Sequence, residues 1–168
     1  KLMSTQADAL INLLAGTVRG WRGTNAFAPA RQQPKKLLKL YDIEACPYCR
    51  LVREVLTELD LDVLILPCPA GGSRYRLEAE QIGGKQQFPL LVDENAGTVL
   101  YESADIIEHL RVTYGQRKPR RRSPLRALAV GSSTVSSALL WRPGGLKGMK
   151  AQPARAPKKP LELFSFET

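Results

Sequence analysis

The chain has 168 residues, 43% of them hydrophobic, and 25 Lys and Arg against 16 Asp and Glu give it a net charge of +9. That length holds one ordinary domain with connecting chain and excludes a large two-domain enzyme. Three cysteines are too few for a disulfide-stapled scaffold, any Ser-His-Asp or multi-histidine site would rest on His109 alone, and no apolar run reaches bilayer-spanning length.

In chain order, residues 4–18 predict an amphipathic helix with Leu10, Ile11, Leu13 and Leu14 as its apolar stripe, and residues 20–34 read as linker. Residues 37–43 have strand spacing. A Pro-containing turn follows, then a helix with Leu51, Val52, Val55, Leu56 and Leu59 on one face and Arg50, Arg53, Glu54 and Glu58 on the other. Residues 61–66 are nearly all apolar, as in a strand buried on both faces. The unit from Leu37 to Leu66 has the size of a βαβ crossover.

Residues 67–73 are loop, and 74–82 a short helix stopped by Gly83 and Gly84. Residues 88–92 and 98–101 are strands joined by the turn Asp93-Glu94-Asn95-Ala96-Gly97, a hairpin. Ser103 is the expected N-cap of a closing helix through Tyr114, with Ala104, Ile106, Ile107 and Leu110 inward and His109 toward solvent. The order is β-α-β-α-β-β-α over residues 36–114, an α/β domain. Residues 1–35 form its N-terminal helix and linker. Residues 115–159 read as a flexible basic linker, in which 125–141 is moderately apolar but broken by Gly131 and four serines.

The charge is unevenly placed. Residues 36–114 carry eight basic and thirteen acidic side chains, whereas 115–159 carry twelve basic and none acidic. The basic flanks contain few aromatics to stack bases, so no nucleic-acid partner is expected, and contact with a membrane is not expected either. Residues 158–168 align without gaps to 35–45 with five identities, which marks 160–168 as the first strand of a truncated second repeat in a tandem-domain protein.

Chemistry concentrates in Cys46-Pro47-Tyr48-Cys49, between the first strand and its helix. A thiol at the helix N-cap faces unpaired N–H groups and the positive end of the helix dipole, which favour thiolate. Pro47 suits the first helical position. Cys49 lies in the same turn, placed to resolve a mixed disulfide on Cys46. Zinc would require Cys68 and His109 at an unusual spacing, and no metal is expected. Cys68, between two prolines, reads as a free loop thiol. An iron–sulfur dimer and a purely structural cysteine pair remain as alternatives.

With Phe88-Pro89 and Tyr101-Glu102-Ser103-Ala104 downstream, the segment 37–114 resembles the glutaredoxin and glutathione S-transferase N-terminal domain family. The resemblance implies a thioredoxin-like, glutaredoxin-type fold with a four-stranded mixed sheet, and glutathione as co-substrate. It makes Cys46 and Cys49 catalytic, and it implies a cis Pro89 with the Phe88 backbone pairing to the cysteinyl part of glutathione. Tyr48 would lie beside the peptide, and Glu102 and Ser103 would hold its γ-glutamyl end. The lysine that glutaredoxins carry three residues before the first cysteine is Ile43 here, so Lys85, Arg74 and Arg76 are candidates for the glycine carboxylate. The function implied is glutathione-dependent reduction of disulfides or glutathionylated proteins. The alternative is a non-catalytic glutathione-binding module of a larger transferase-like protein. A dithiol kept reduced suits cytosol or an organelle interior, and Arg19, Arg22 and Arg31 against Asp8 alone give the N-terminus a transit-peptide composition.

Overall fold

The computed structural model describes residues 2–115, 125–140, 158–159 and 161–164. The elements are α1 (Leu2–Val18), β1 (Leu38–Asp42), α2 (Pro47–Glu58), β2 (Val63–Pro67), α3 (Arg76–Gly83), β3 (Leu90–Asp93), β4 (Thr98–Tyr101), α4 (Ser103–Thr113) and α5 (Arg126–Leu140). The four strands form one sheet in the order β2-β1-β3-β4, with β1 parallel to β2 and antiparallel to β3, and β3 antiparallel to β4. This is a thioredoxin-like α/β arrangement with a mixed sheet.

Period-two alternation in the strands separates two cores. Leu38, Leu40 and Leu91 point to the face covered by α2 and α4, where they meet Val52, Val55, Leu56, Ile106 and Leu110. Tyr41, Leu90 and Val92 point the other way, onto Ala79 of α3 and Cys68. The Tyr41 hydroxyl fixes α3 by donating to Glu78 Oε1 at 2.7 Å. Gly84, in the left-handed region at φ 80°, ends α3 and donates its N–H to the Glu80 carbonyl. Gly83 must lack a side chain, because a Cβ there would lie 2.1 Å from the Tyr101 hydroxyl.

Several expectations are corrected. Strand β2 is an edge strand with Ile65 exposed, so its apolar run does not mark burial on both faces; the run reflects packing of Leu61 and Leu66 at its two ends. The polar face of α2 is buried as well: Arg50, Arg53, Glu54 and Glu58 are all covered. The cover comes from the flanks. Arg19 makes a two-pronged ion pair with Glu54, its Nε 2.7 Å from Oε1, and Arg22 and Arg111 both reach Glu58.

Residues 20–34 are docked rather than a free connector. Ala28 and Ala30 donate their N–H groups to the carbonyls of Glu58 and Leu59, which the end of α2 leaves without intrahelical partners. The expected linker over 115–159 contains α5, which packs on α2 and α1. Its serines make this close approach work: the Ser136 hydroxyl donates to the Ala15 carbonyl, and Ser133 to the Pro47 carbonyl at 2.7 Å. The rest of that stretch, 116–124 and 141–157, lies outside the described residues. In α1 the stripe is inverted, since Leu10, Leu13 and Leu14 are exposed while Ala15 is buried. Within the proposed repeat, Leu161, Leu163 and Phe164 belong to no strand and are exposed, whereas the aligned Leu38, Leu40 and Tyr41 are fully buried.

Candidate functional site

The site grows from the end of β1. The loop after Asp42 is held by Arg53 of α2, which donates from Nη1 to Asp42 Oδ2 at 2.6 Å and from Nη2 to the Glu44 carbonyl at 3.0 Å. The Cys46 N–H donates to the Ile43 carbonyl, closing the turn, and Cys46 becomes the N-cap of α2 with extended backbone (φ −78°, ψ 122°). Pro47 follows at the first helical position, and Ser133 of α5 braces its carbonyl.

Cys46 is half-buried and Cys49 fully buried; all three cysteines are free thiols. The Cys49 side chain donates to the Cys46 sulfur, and this bond, working against burial and aided by the backbone N–H groups of Cys49 and Tyr48, brings the Cys46 thiol down to about 6. The same bond, then burial and the Asp42 charge, push the Cys49 thiol far up, so Cys49 stays protonated. One sulfur is thus a thiolate at neutral pH and the other its hydrogen-bond donor. Asp42 opposes the thiolate by its charge. Cys68 is a free thiol in the loop after β2, as expected, but a buried one: it is 1% exposed beneath α3, its S–H points to the Leu66 carbonyl, and burial pushes it up to about 11.

Beside this turn opens a cleft of ≈ 350 Å³ lined by Tyr48, Gln87, Phe88, Pro89, Glu102 and Ser103. The Phe88-Pro89 peptide bond is cis and delays the start of β3 to Leu90. Glu102, not Ser103, is the N-cap of α4. It sits at φ 63°, a region costly for a non-glycine residue, and gives no side-chain cap. Its carboxylate accepts from the Gln87 side chain, which turns it into the cleft. Ser103 becomes the first helical residue, buried, with a backbone N–H that helix geometry leaves without an intrahelical acceptor.

The structure therefore brings Tyr48, Phe88, Pro89, Glu102 and Ser103 together beside Cys46 but leaves Lys85 out. The Lys85 ammonium lies 4.5 Å over the Tyr101 ring, away from the cleft lining. Arg76 is closer to the site, 5.0 Å over the Phe88 ring, with Nε bonded to the carbonyls of Cys68 and Pro69. Gln87 is a cleft residue that sequence reasoning missed; it sits in an aperiodic Gly-Gly-Lys-Gln-Gln run where only its place before Phe88-Pro89 marked it. His109 is not solvent-directed. Its Nε2 lies 2.8 Å from the fully buried Asp93 carboxylate, which also accepts from Tyr114 and Asn95, so the cluster ties α4 to the hairpin turn.

A thioredoxin-like sheet, a Cys-Pro-Tyr-Cys turn capping a helix and a cis-proline cleft define a thiol-bearing domain of the thioredoxin-fold class. Residues 40–118 match the family described as glutathione S-transferase, N-terminal domain. The chain is also similar to a solved structure, a glutathione transferase of Bombyx mori (BmGSTD1), at 25% sequence identity and a TM-score of 0.46. That likeness covers 58% of this chain and 45% of the silkworm protein, so the chain spans under half of its length. Among curated proteins none matches.

Proposed function

We propose that this domain is a glutathione-dependent thiol–disulfide oxidoreductase acting through Cys46, with glutathione bound in the adjacent cleft. The observation that carries this reading is the pairing of a Cys46 thiolate, brought down to about 6, with a protonated Cys49 in the same turn. The Cys46 thiolate attacks the glutathionyl sulfur of a protein–glutathione disulfide, and the protein thiolate leaves. A second glutathione thiolate then attacks the enzyme-bound glutathionyl sulfur, giving oxidised glutathione and restoring Cys46. Cys49, in the same turn, is the alternative resolving thiol, and the retained activity of Cys49→Ser tests which of the two routes carries turnover.

In the cleft, the Ser103 N–H at the start of α4 suits the γ-glutamyl carboxylate, and the Glu102 carboxylate suits the neighbouring ammonium. The Phe88 backbone, displayed by the cis bond, pairs with the cysteinyl unit. Arg76, over the Phe88 ring, takes the place assigned to Lys85 at the glycine carboxylate. The test is glutathione-dependent reduction of a glutathionylated peptide. Cys46→Ser is expected to abolish it and Cys49→Ser to retain it; full activity in Cys46→Ser would overturn the assignment.

A second reading, a glutathione-binding module without redox activity, is favoured by the family match itself, which is to a transferase domain. It predicts glutathione binding that survives Cys46→Ser, with no turnover in the unaltered chain.

A further inference from the structure

Helices α1 and α5 are built inside-out. A helix on a water-facing surface normally turns its large apolar residues inward and its polar ones outward. In α5 the serines Ser133, Ser136 and Ser137 are buried, while Leu128 is 70% and Val135 52% exposed on the opposite face. Among residues 9–18 of α1 the buried positions are Ala15 and Gly16, while Leu10, Leu13, Leu14 and Val18 recur outward at helical spacing with 56, 50, 45 and 40% exposure. The Ser133 and Ser136 hydroxyls donate to backbone carbonyls of the neighbouring helices, so the inversion is a packed arrangement. The two helices are also almost uncharged: Asp8 is the one charged residue of α1 and Arg126 the one of α5.

Charge returns on either side of α5. Arg117, Lys118, Arg120, Arg121 and Arg122 precede it, Arg142, Lys147 and Lys150 follow, and no acid occurs from 115 to 159. An apolar helix face bracketed by cationic chain is complementary to a surface that is oily within and anionic at its boundary. No helix among the described residues is long and apolar enough to cross a membrane, so the contact would be one of lying on it.

We propose that the outward faces of α5 and α1 dock on an anionic lipid surface, holding the redox domain at a membrane boundary. The apolar face exists because α5 forms and turns its serines inward. This docking is independent of the proposed redox chemistry, so either can fail alone.

The test is co-sedimentation of the full chain with vesicles of phosphatidylcholine mixed with phosphatidylserine, against phosphatidylcholine alone. Binding is expected to the anionic vesicles, weakening as salt is raised. Leu128→Glu with Val135→Glu should lower it at least tenfold while leaving the urea unfolding midpoint unchanged, since both side chains are exposed. Arg120, Arg121 and Arg122 changed together to Gln should weaken it too. No binding to anionic vesicles, binding indifferent to Leu128→Glu with Val135→Glu, or a concentration-dependent dimer that these substitutions dissolve would each overturn the proposal.

Discussion

Replacing Cys49 by Ala tests the electrostatics of the site most directly. In the native turn the Cys49 S–H is the leading cause of the low Cys46 value of about 6, ahead of the backbone N–H groups at the helix start. A hydrogen bond to a charged group is worth about 1.5–3 kcal/mol, and for a half-buried thiolate solvent screening selects the lower part, about 1.5–2 kcal/mol. At about 1.4 kcal/mol per tenfold, the Cys46 value in Cys49→Ala should move to about 7–7.5, and the thiolate fraction at neutral pH should fall from about nine-tenths to roughly a third. The assay is the pH dependence of Cys46 alkylation by iodoacetamide, checked by thiolate ultraviolet absorbance. Cys49→Ser keeps a donor at the same place and should stay near the native value. A Cys49→Ala profile superimposing on the native one would refute the reasoning and assign the thiolate to the helix terminus alone.

Other consequences follow from the same geometry. Because the folded Cys46 value lies below the unfolded one of 9.0, its stabilisation is full above about 9 and is lost as pH falls through about 6. Denaturant unfolding of the reduced chain should therefore show stability rising across that window by roughly 2 kcal/mol after screening, and Cys46→Ser should remove the rise. Arg19→Met leaves Glu54 with only its longer contact to Arg50 at 3.8 Å and should cost about 1.5–3 kcal/mol in urea unfolding. Burial works to raise the Asp93 carboxyl, but hydrogen bonds from His109, Tyr114 and Asn95 hold it below the usual carboxylate range. The native chain should then lose stability as pH falls below about 4, and Asp93→Asn should flatten that acid limb in urea titrations. Ser103→Pro, which removes the N–H at a first helical position where proline is tolerated, should weaken glutathione binding by about 1.5–3 kcal/mol in calorimetry, and an unchanged affinity would remove that N–H from the site.

How much could be read beforehand depended on the range of the interactions. The strands and helices from Leu38 to Thr113 follow from periodicity and turn residues that act within a few positions, and they were legible. The burial of Glu54 and Glu58 was not, because what covers them comes from Arg19, Arg22 and α5, distant in sequence. Ser103 looked like a cap because serine is a good one, whereas the chain places Glu102 there in a strained conformation that no propensity favours. His109 looked solvent-directed on its own helix; the carboxylate that draws it in belongs to the hairpin. At the site, the cysteine turn could be read from local chemistry. The cleft could be read only through family resemblance, which left the cation open among Lys85, Arg74 and Arg76; in the structure Lys85 covers the Tyr101 ring and Arg76 the Phe88 ring.

The buried face of α2 also changes what counts as the smallest autonomous piece. The segment recognisable as a family domain ends at its own last helix, and a chain trimmed to 36–114 would keep Glu54 while discarding Arg19, and keep the Pro47 carbonyl while discarding Ser133. Such a piece would retain every residue of the cysteine turn and the cleft, yet Glu54 would keep only its longer contact to Arg50 and the reactive turn would lose its brace from Ser133. The unit that folds is longer than the unit that is recognised, and reactivity measured on the shorter one would report on a different molecule.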